Sequence, residues 1–466
     1  MWSILIVNQY KIRYASPVPV PVPVPVSVSP STSADNDELI SATEAARRLG
    51  VKESTLYAYV SRGRVTRHRR EGSPRSWFDP AEIAALAGRR GGIAGLELAV
   101  ATSMTDIDGR RLRYRGIDLL DLAGDIAYER IVELLWTGAM VLTPCTVPPE
   151  VVSACRQAGA LLGRGARWTD RLAVAVAAAG ATDPFRSDLA PGSVMAAGRR
   201  VLAAMVDGLP APDGRPDGVG DDDAPHAPHA PHAPEGSIGP GPASLARRLW
   251  CRLHPAPRAM PDQAVTALNA CMVVLADHEL ATSTLAARVA ASARADPYSV
   301  VVSALGVFAG PLHGTVSEEV VRLLVEASSV PGGVTQALAD RLRLGRPIPG
   351  FGHRLYPEGD PRTPLMLAPL DRLGDGRDGD APLVVERLET VHAVLAGMTG
   401  RSAPPPNADF GLGAFVYVTG MPLDAGEAIF AVSRTAGWIG HALEEYQQTP
   451  LRFRSRAVYT GVRPVS

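Results

Sequence analysis

The sequence predicts a mainly α protein, a large helical body behind a small head. Three observations predict it. Apolar runs free of Gly and Pro recur at helical length, the longest from Ala264 to Ala293. Capping residues stand where several helical patterns begin, as at Ser41, Ser54, Asp79-Pro80 and Asp424. Hydrophobic residues make up 46% of the chain but aromatics only 5%, so Ala, Val and Leu must build a large core. With 466 residues there is room for two or three domains.

The totals exclude several classes. A net charge of −1 argues against a globally basic nucleic-acid binder and leaves only a local basic patch. Lysine occurs only at Lys11 and Lys52, so nearly all positive charge is Arg, a bias of composition and not of function. Cys145, Cys155, Cys251 and Cys271 have neither metal-ligand spacing nor a disulfide pattern, which fits a reduced cytoplasm. No apolar run reaches the roughly 18 residues of a membrane span. Met1 to Val7 is apolar but lacks a positive flank before it, and it does not read as a signal peptide.

Residues 1–37 carry Pro-Val repeats from Pro17 to Val26, an extended, disordered tail. Residues 38–92 form the head. Ser41-Ala42-Thr43-Glu44 is a capping box opening a helix from Ala42 to Leu49, and Ser54 caps a second helix from Thr55 to Ser61. Arg62, Arg64, Arg67, His68, Arg69, Arg70 and Arg75 follow, then a short strand at Trp77-Phe78 and a third helix from Asp79-Pro80. Helix, tight turn, helix and basic hairpin resemble the winged helix-turn-helix DNA-binding heads of the MerR and excisionase type. That resemblance places Thr55, Tyr57 and Tyr59 on or near a recognition helix, with Arg62, Arg64 and Arg67 meeting phosphates. A helical module for protein contacts is the alternative.

The body, 93–466, begins after the Gly91-Gly92 hinge. Asp106 to Gly109 reads as a turn with a strand partner at Leu112 to Tyr114, and Tyr128 to Thr137, Val151 to Leu162 and Arg171 to Gly180 as helices. Residues 206–243 break the pattern. They hold Asp221-Asp222-Asp223 and Ala-Pro-His repeats at His226, His229 and His232, a solvated insert whose Pro-rich backbone offers no fixed metal geometry.

Beyond the insert, polar groups interrupt apolar walls. Asp277-His278-Glu279 sits in the long run from Ala264, where three adjacent polar groups are costly to bury without partners. The helix from Ser299 to Phe308 ends in Gly310-Pro311-Leu312-His313-Gly314. In Gly350-Phe351-Gly352-His353-Arg354-Leu355-Tyr356-Pro357-Glu358-Gly359-Asp360-Pro361-Arg362, glycines let a substrate approach the imidazole, and Arg354 and Arg362 offer guanidinium forks for a small carboxylic acid. Asp409 follows the stiff Pro404-Pro405-Pro406-Asn407 and suits a fixed base; the alternative makes it the N-cap of a helix from Phe410 to Thr419. Asp424 to Gln447 is a helix with a capping pattern at Asp424 and Glu427. It carries Arg434, Trp438 and His441 on one face, with Glu444, Glu445 or a ligand carboxylate as the partner of Arg434.

Three histidines, one Asp and several arginines, brought together, would polarise two carbonyls, take a proton from carbon and hold a dicarboxylate. The segments DHE, GPLHG, GFGHRLYPEGDPR, NADF and SRTAGWIGHALEE, in that order, resemble citrate synthase from about Gly95 to Gly461. The resemblance implies a two-domain helical fold, with a small mobile domain at about 315–419, behind the winged helix-turn-helix head. It implies condensation of acetyl-CoA with oxaloacetate and water to citrate and CoA, the entry to the tricarboxylic acid cycle, with acetyl-CoA as substrate and no cofactor or metal. Asp409 would be the base, His313 would bind the thioester oxygen and His353 the oxaloacetate ketone. His278, His353, Arg362 and Arg434 would hold oxaloacetate, and Arg454 would reach the neighbouring subunit's site in a homodimer or higher oligomer. Thr315 after Gly314, and Ala408 and Gly411 around Asp409, depart from the usual family pattern. Two rivals remain: a 2-methylcitrate synthase using propionyl-CoA, since one methylene discriminates by only about 1–3 kcal/mol, and a DNA-binding regulator that senses metabolites through a synthase-like body.

Overall fold

Ser41 opens the first helix, as its sequence predicts. Its hydroxyl accepts the Glu44 N–H at 3.2 Å, but the Glu44 carboxylate turns to Arg47 and Arg48, so only half of the capping box forms. The computed structural model describes residues 39–49, 51–61, 65–69, 76–80, 82–83, 100–122, 126–163, 165–212, 241, 243–256, 261–311, 313–374, 381–399 and 403–454. It divides into two compact units, Met1–Ala99 and Val100–Ser466.

In the first unit, β1 (Ile40–Ser41) leads into α1 (Ala42–Arg48). Then come α2 (Glu53–Ser61), β2 (His68–Arg69) and β3 (Ser76–Phe78). The strands pair antiparallel in the order β1-β3-β2, with Ile40 opposite Phe78 and His68 opposite Trp77. Ala45, Ala46, Leu56, Tyr59 and Phe78 make its core. Two expectations shift. Ser54 lies inside α2, which begins at Glu53, and Tyr59 is a core residue, while Tyr57 and Arg67 are exposed and Thr55 is half-buried. Arg62 and Arg64 lie outside the described residues, as do residues 1–37.

The second unit begins with a small sheet, β4 (Thr105–Asp108), β5 (Arg111–Tyr114) and β6 (Ile117–Asp118). The predicted turn moves to Gly109-Arg110, because Asp106 pairs with Arg113 within the ladder. Helices follow: α3 (Leu119–Leu122), α4 (Tyr128–Thr137), α5 (Pro149–Ala160), α6 (Trp168–Ala181) and α7 (Pro191–Asp207). Beyond the insert come α8 (Leu245–Leu253), α9 (Asp262–Leu275), α10 (Thr282–Ser292), α11 (Pro297–Phe308), α12 (Val316–Ser329) and α13 (Gly333–Arg343). The last four are α14 (Arg362–Gly374), α15 (Ala381–Thr399), α16 (Ala408–Thr419) and α17 (Ala425–Tyr446). None of the helices described is long and apolar enough to cross a membrane.

Helix α17 is the axle of this unit. All its residues but Glu444 and Tyr446 are buried, and α4, α6, α7, α9, α10, α11 and α12 pack around it. Its glycines permit this approach: a Cβ on Gly437 would collide with Asp277 Oδ1, and one on Gly440 with Met104 Sδ. Tyr128 and Trp136 of α4 donate to its Ser433 and Ala436 carbonyls at 2.8 Å. Each fully buried large side chain along such an axle contributes about 1.5–3 kcal/mol. The capping pattern expected at its start does not form. Asp424 makes no side-chain cap, and Glu427 instead accepts the Thr169 hydroxyl at 2.9 Å.

The insert is also narrower than the sequence suggests. Helix α7 runs through Asp207, and Val206 and Leu209 are fully buried. Its two ends are joined by the buried Arg248–Asp207 ion pair at 2.6 Å, and Glu129 of α4 anchors the far end by accepting the Leu245 N–H at 2.6 Å. The Ala-Pro-His repeats lie outside the described residues.

Candidate active site

Five stretches supply the site. His278 stands in the turn between α9 and α10, where the run from Ala264 breaks. The buried Tyr114 hydroxyl bonds the Asp277 backbone, and the Gly437 N–H of α17 donates to the Ala276 carbonyl at 3.0 Å, so the turn is clamped to the axle. Glu279 is forced to φ +48, a costly conformation for a residue with a side chain.

His313 follows α11. The Gly314 N–H returns to the Phe308 carbonyl at 3.1 Å, and a Cβ there would strike the Phe308 ring at 2.5 Å. The ring nitrogen Nε2 lies 2.8 Å from the Ser283 hydroxyl, which also accepts the Trp438 indole N–H at 3.3 Å. Ser283 is fully buried, and His313 is the one acceptor for its hydroxyl hydrogen among the described residues. That hydrogen bond puts the His313 proton on Nδ1.

The loop bearing His353 is tied to the start of α16. Gly352 N–H donates to the Pro405 carbonyl at 2.8 Å, Asn407 N–H to the Gly350 carbonyl at 2.9 Å, and Asn407 Nδ2 to the Gly352 carbonyl at 2.8 Å. Gly350 (φ +81) has no room for a side chain, because a Cβ would meet Phe410 and Val320 at 2.8 Å. His353 Nδ1 accepts the Leu355 N–H at 3.1 Å, so the neutral ring carries its proton on Nε2. Tyr356 contacts both histidines, whose own rings meet edge to face with centroids 5.5 Å apart. Its hydroxyl is 3.0 Å from His278 Nε2, and its ring stacks on His353 with centroids 4.9 Å apart.

The arginines differ from expectation in their partners. Arg362 spends its fork on Asp360, with Nε to Oδ1 at 2.9 Å and Nη2 to Oδ2 at 2.7 Å, leaving Nη1 without a partner among the described residues. Asp360 Oδ2 also accepts the Ala408 N–H at 3.0 Å, which joins Arg362 to the helix of Asp409. Arg434 does not pair with Glu444 or Glu445; those belong to Arg288, and Glu445 also to Arg452. Arg434 is 1% exposed, and its one hydrogen bond among the described residues runs from Nε to the Leu275 carbonyl at 2.8 Å. Both terminal nitrogens stay available to an anion. Arg354 is exposed. Arg454 is exposed beyond α17 and contacts none of these groups.

Asp409 is not the cap of its helix. Asn407 is, accepting the Asp409 and Phe410 N–H groups, and the Asp409 carboxylate accepts no hydrogen bond among the described residues. Burial pushes this carboxyl up to about 6, against the pull of Arg362; Asp360 pushes the same way as burial, and Arg434 draws it down. Burial and then Arg434 push His313 down to about 4. Burial, Arg362 and Arg434 hold His278 well below its usual range, and burial with Arg362 lowers His353. Burial lowers Arg434 to about 10, and Asp277 opposes that shift. The site therefore holds three neutral imidazoles, two buried guanidiniums and one carboxylate free to accept a proton. Asp360, Tyr356, Ser283 and Asn407 are the partners that sequence reading assigned no role. Asp360, two residues before Arg362, carried the one visible signal.

Comparison with known proteins gives the family. A family model described as citrate synthase, C-terminal domain, matches residues 95–456, and the chain belongs to the citrate synthase family. It is an enzyme of the class that converts an acyl group to an alkyl group on transfer. It is 30% identical over 384 residues to a 2-methylcitrate synthase of Mycobacterium tuberculosis, covering 79% of this chain and 90% of that protein. It is 38% identical over 190 residues to the citrate synthase of Haloferax volcanii, covering 41% and 48%. Among solved structures it resembles the Thermoplasma acidophilum citrate synthase in a ternary complex with carboxymethyl coenzyme A and oxaloacetate, with a TM-score of 0.60, 25% identity, and 81% and 97% of the two chains covered.

Proposed function

We propose that this chain condenses acetyl-CoA with oxaloacetate and water to give citrate and CoA, the reaction that opens the tricarboxylic acid cycle. The observation that carries the reading is the Asp409 carboxylate, which accepts no hydrogen bond among the described residues and is held at about 6, with Arg362 and Arg434 acting on it. Its oxygen takes a proton from the acetyl methyl group while His313 Nδ1–H donates to the thioester oxygen, leaving a neutral enol or enolate. The enol carbon attacks the ketone carbon of oxaloacetate, and His353 Nε2–H donates to the oxygen that becomes the alkoxide. His278, Arg362 Nη1 and the terminal nitrogens of Arg434 hold the two carboxylates. Water then cleaves the citryl thioester, and CoA leaves as the thiol. The substrate named in the Thermoplasma acidophilum complex supports the keto acid. Appearance of free thiol that requires both acetyl-CoA and oxaloacetate, with citrate as the product by mass, tests the reading; an oxaloacetate-dependent thiol signal that prefers propionyl-CoA to acetyl-CoA would move the chain to 2-methylcitrate synthesis.

The same reading extends to the assembly. Residues 315–419 act as a small domain that closes on the site and excludes water. Two chains associate in the cytoplasm, with Arg454 of each completing the other's site; full activity with an unchanged KM for oxaloacetate in Arg454→Ala would contradict that role. Residues 38–92 form a helix-turn-helix that contacts DNA through Thr55, Tyr57, Arg62, Arg64 and Arg67. The antiparallel β2–β3 pair bearing His68 and Arg69 supports this part of the reading. A gel shift with genomic fragments that fails at low salt would sink it.

A further inference from the structure

Tyr356 touches three groups of the proposed keto acid site. Its hydroxyl meets His278 Nε2 at 3.0 Å, its ring stacks on His353 at 30° between planes, and the Arg362 guanidinium carbon lies 5.8 Å from its ring centroid. It is 1% exposed, and its hydroxyl is taken by His278 and not left to a ligand. Its backbone N–H also returns to the His353 carbonyl at 3.3 Å, closing the turn that sets the histidine.

A buried hydroxyl hydrogen needs an acceptor. Among the described residues the Tyr356 hydroxyl meets only His278 Nε2. Burial keeps the phenol protonated and the imidazole neutral, so the phenol donates and the imidazole accepts. The His278 proton then sits on Nδ1, which has no partner among the described residues. An acceptor carboxylate is what that N–H lacks. The opposite tautomer would leave a buried phenol hydrogen without an acceptor and present a bare nitrogen lone pair to a dianion.

We propose that Tyr356 is a positioning residue for the keto acid: its hydroxyl fixes the donating tautomer of His278, and its ring fixes the plane of His353. The proposal rests on the condensation reading above and names a residue that the reading does not need.

Tyr356→Phe keeps the ring and removes the hydroxyl. The expected result is a rise of about tenfold in the KM for oxaloacetate, the worth of one oriented hydrogen bond to a carboxylate, with the KM for acetyl-CoA and the thermal midpoint unchanged. Tyr356→Leu removes the stack as well and should also lower kcat, because His353 loses its fixed plane. A purely structural role would lower the midpoint and move both KM values together. Calorimetric titration of wild type and Tyr356→Phe with oxaloacetate separates the failures. Wild-type turnover with an unchanged oxaloacetate KM in Tyr356→Phe overturns the proposal and leaves the condensation reading standing. A wild-type chain that neither turns over nor binds oxaloacetate overturns both.

Discussion

Asn407 caps the helix in which Asp409 stands. Its side-chain oxygen accepts the Asp409 N–H at 3.0 Å, and its amide nitrogen donates to the Gly352 carbonyl at 2.8 Å. One residue thus performs the capping that would otherwise occupy the Asp409 carboxylate, and ties that carboxylate's helix to the loop of His353. Asn407→Ala should cost about 0.5–2 kcal/mol of stability for the lost cap. It should also lower kcat if Asp409 and His353 act as proposed, since the two lose their common tether. Urea unfolding and steady-state rates check the pair of effects.

The pH profile should report Asp409. As a base it works ionised, so kcat/KM for acetyl-CoA should hold above pH about 6 and fall below it. His313, at about 4, is neutral throughout that range and does not supply the limb. His313→Gln should therefore slow the reaction and leave the limb in place.

The same carboxyl carries a stability prediction. Its folded value near 6 lies above the ordinary value of 3.8. A raised carboxyl favours the fold fully only below the unfolded value, and that contribution is lost as pH rises through the folded value. Above pH 6 the ionised, half-buried Asp409 costs about 3 kcal/mol. Asp409→Asn should be more stable than wild type at pH 8, and the difference should vanish near pH 4. Unfolding midpoints at the two pH values decide it.

Ser283 orders His313 from behind. Ser283→Ala removes the hydroxyl that holds the proton on Nδ1 and deprives the Trp438 indole of its acceptor. The expected loss in kcat/KM for acetyl-CoA is about tenfold, with the KM for oxaloacetate unchanged.

Gly350 is fixed by space and by backbone. Gly350→Ala places a Cβ 2.8 Å from Phe410 and Val320 at φ +81. It should destabilise the unit by about 2–4 kcal/mol through overpacking and the left-handed backbone. Thermal unfolding with no gain in midpoint on adding oxaloacetate would show that the His353 loop is displaced too.

Much of the site was legible in the sequence because its residues stand where local rules are broken. His278 interrupts an apolar run, His313 sits at a helix end, and His353 lies between glycines. Helix α4 falls where the periodicity places it, Tyr128–Thr137. Partners were less legible, because they are set by contacts distant in sequence. Arg434 and Glu444 lie on one helix, yet the buried Arg288 of α10 takes Glu444 and leaves Arg434 to the Leu275 carbonyl. Asp409 alone read more readily as a cap than as a base, and the side chain of Asn407 takes the cap instead. The insert was drawn too wide, because composition changes before the helix ends. Leu209 is buried by tertiary packing that composition does not register.

The most direct test is release of CoA from acetyl-CoA and oxaloacetate by wild type and by Asp409→Asn. The account predicts oxaloacetate-dependent release that falls by about 10²–10⁴-fold in the variant, while oxaloacetate binding persists. Equal release by the two proteins, or none from a folded wild type that binds oxaloacetate, would contradict the assignment of Asp409 as the base.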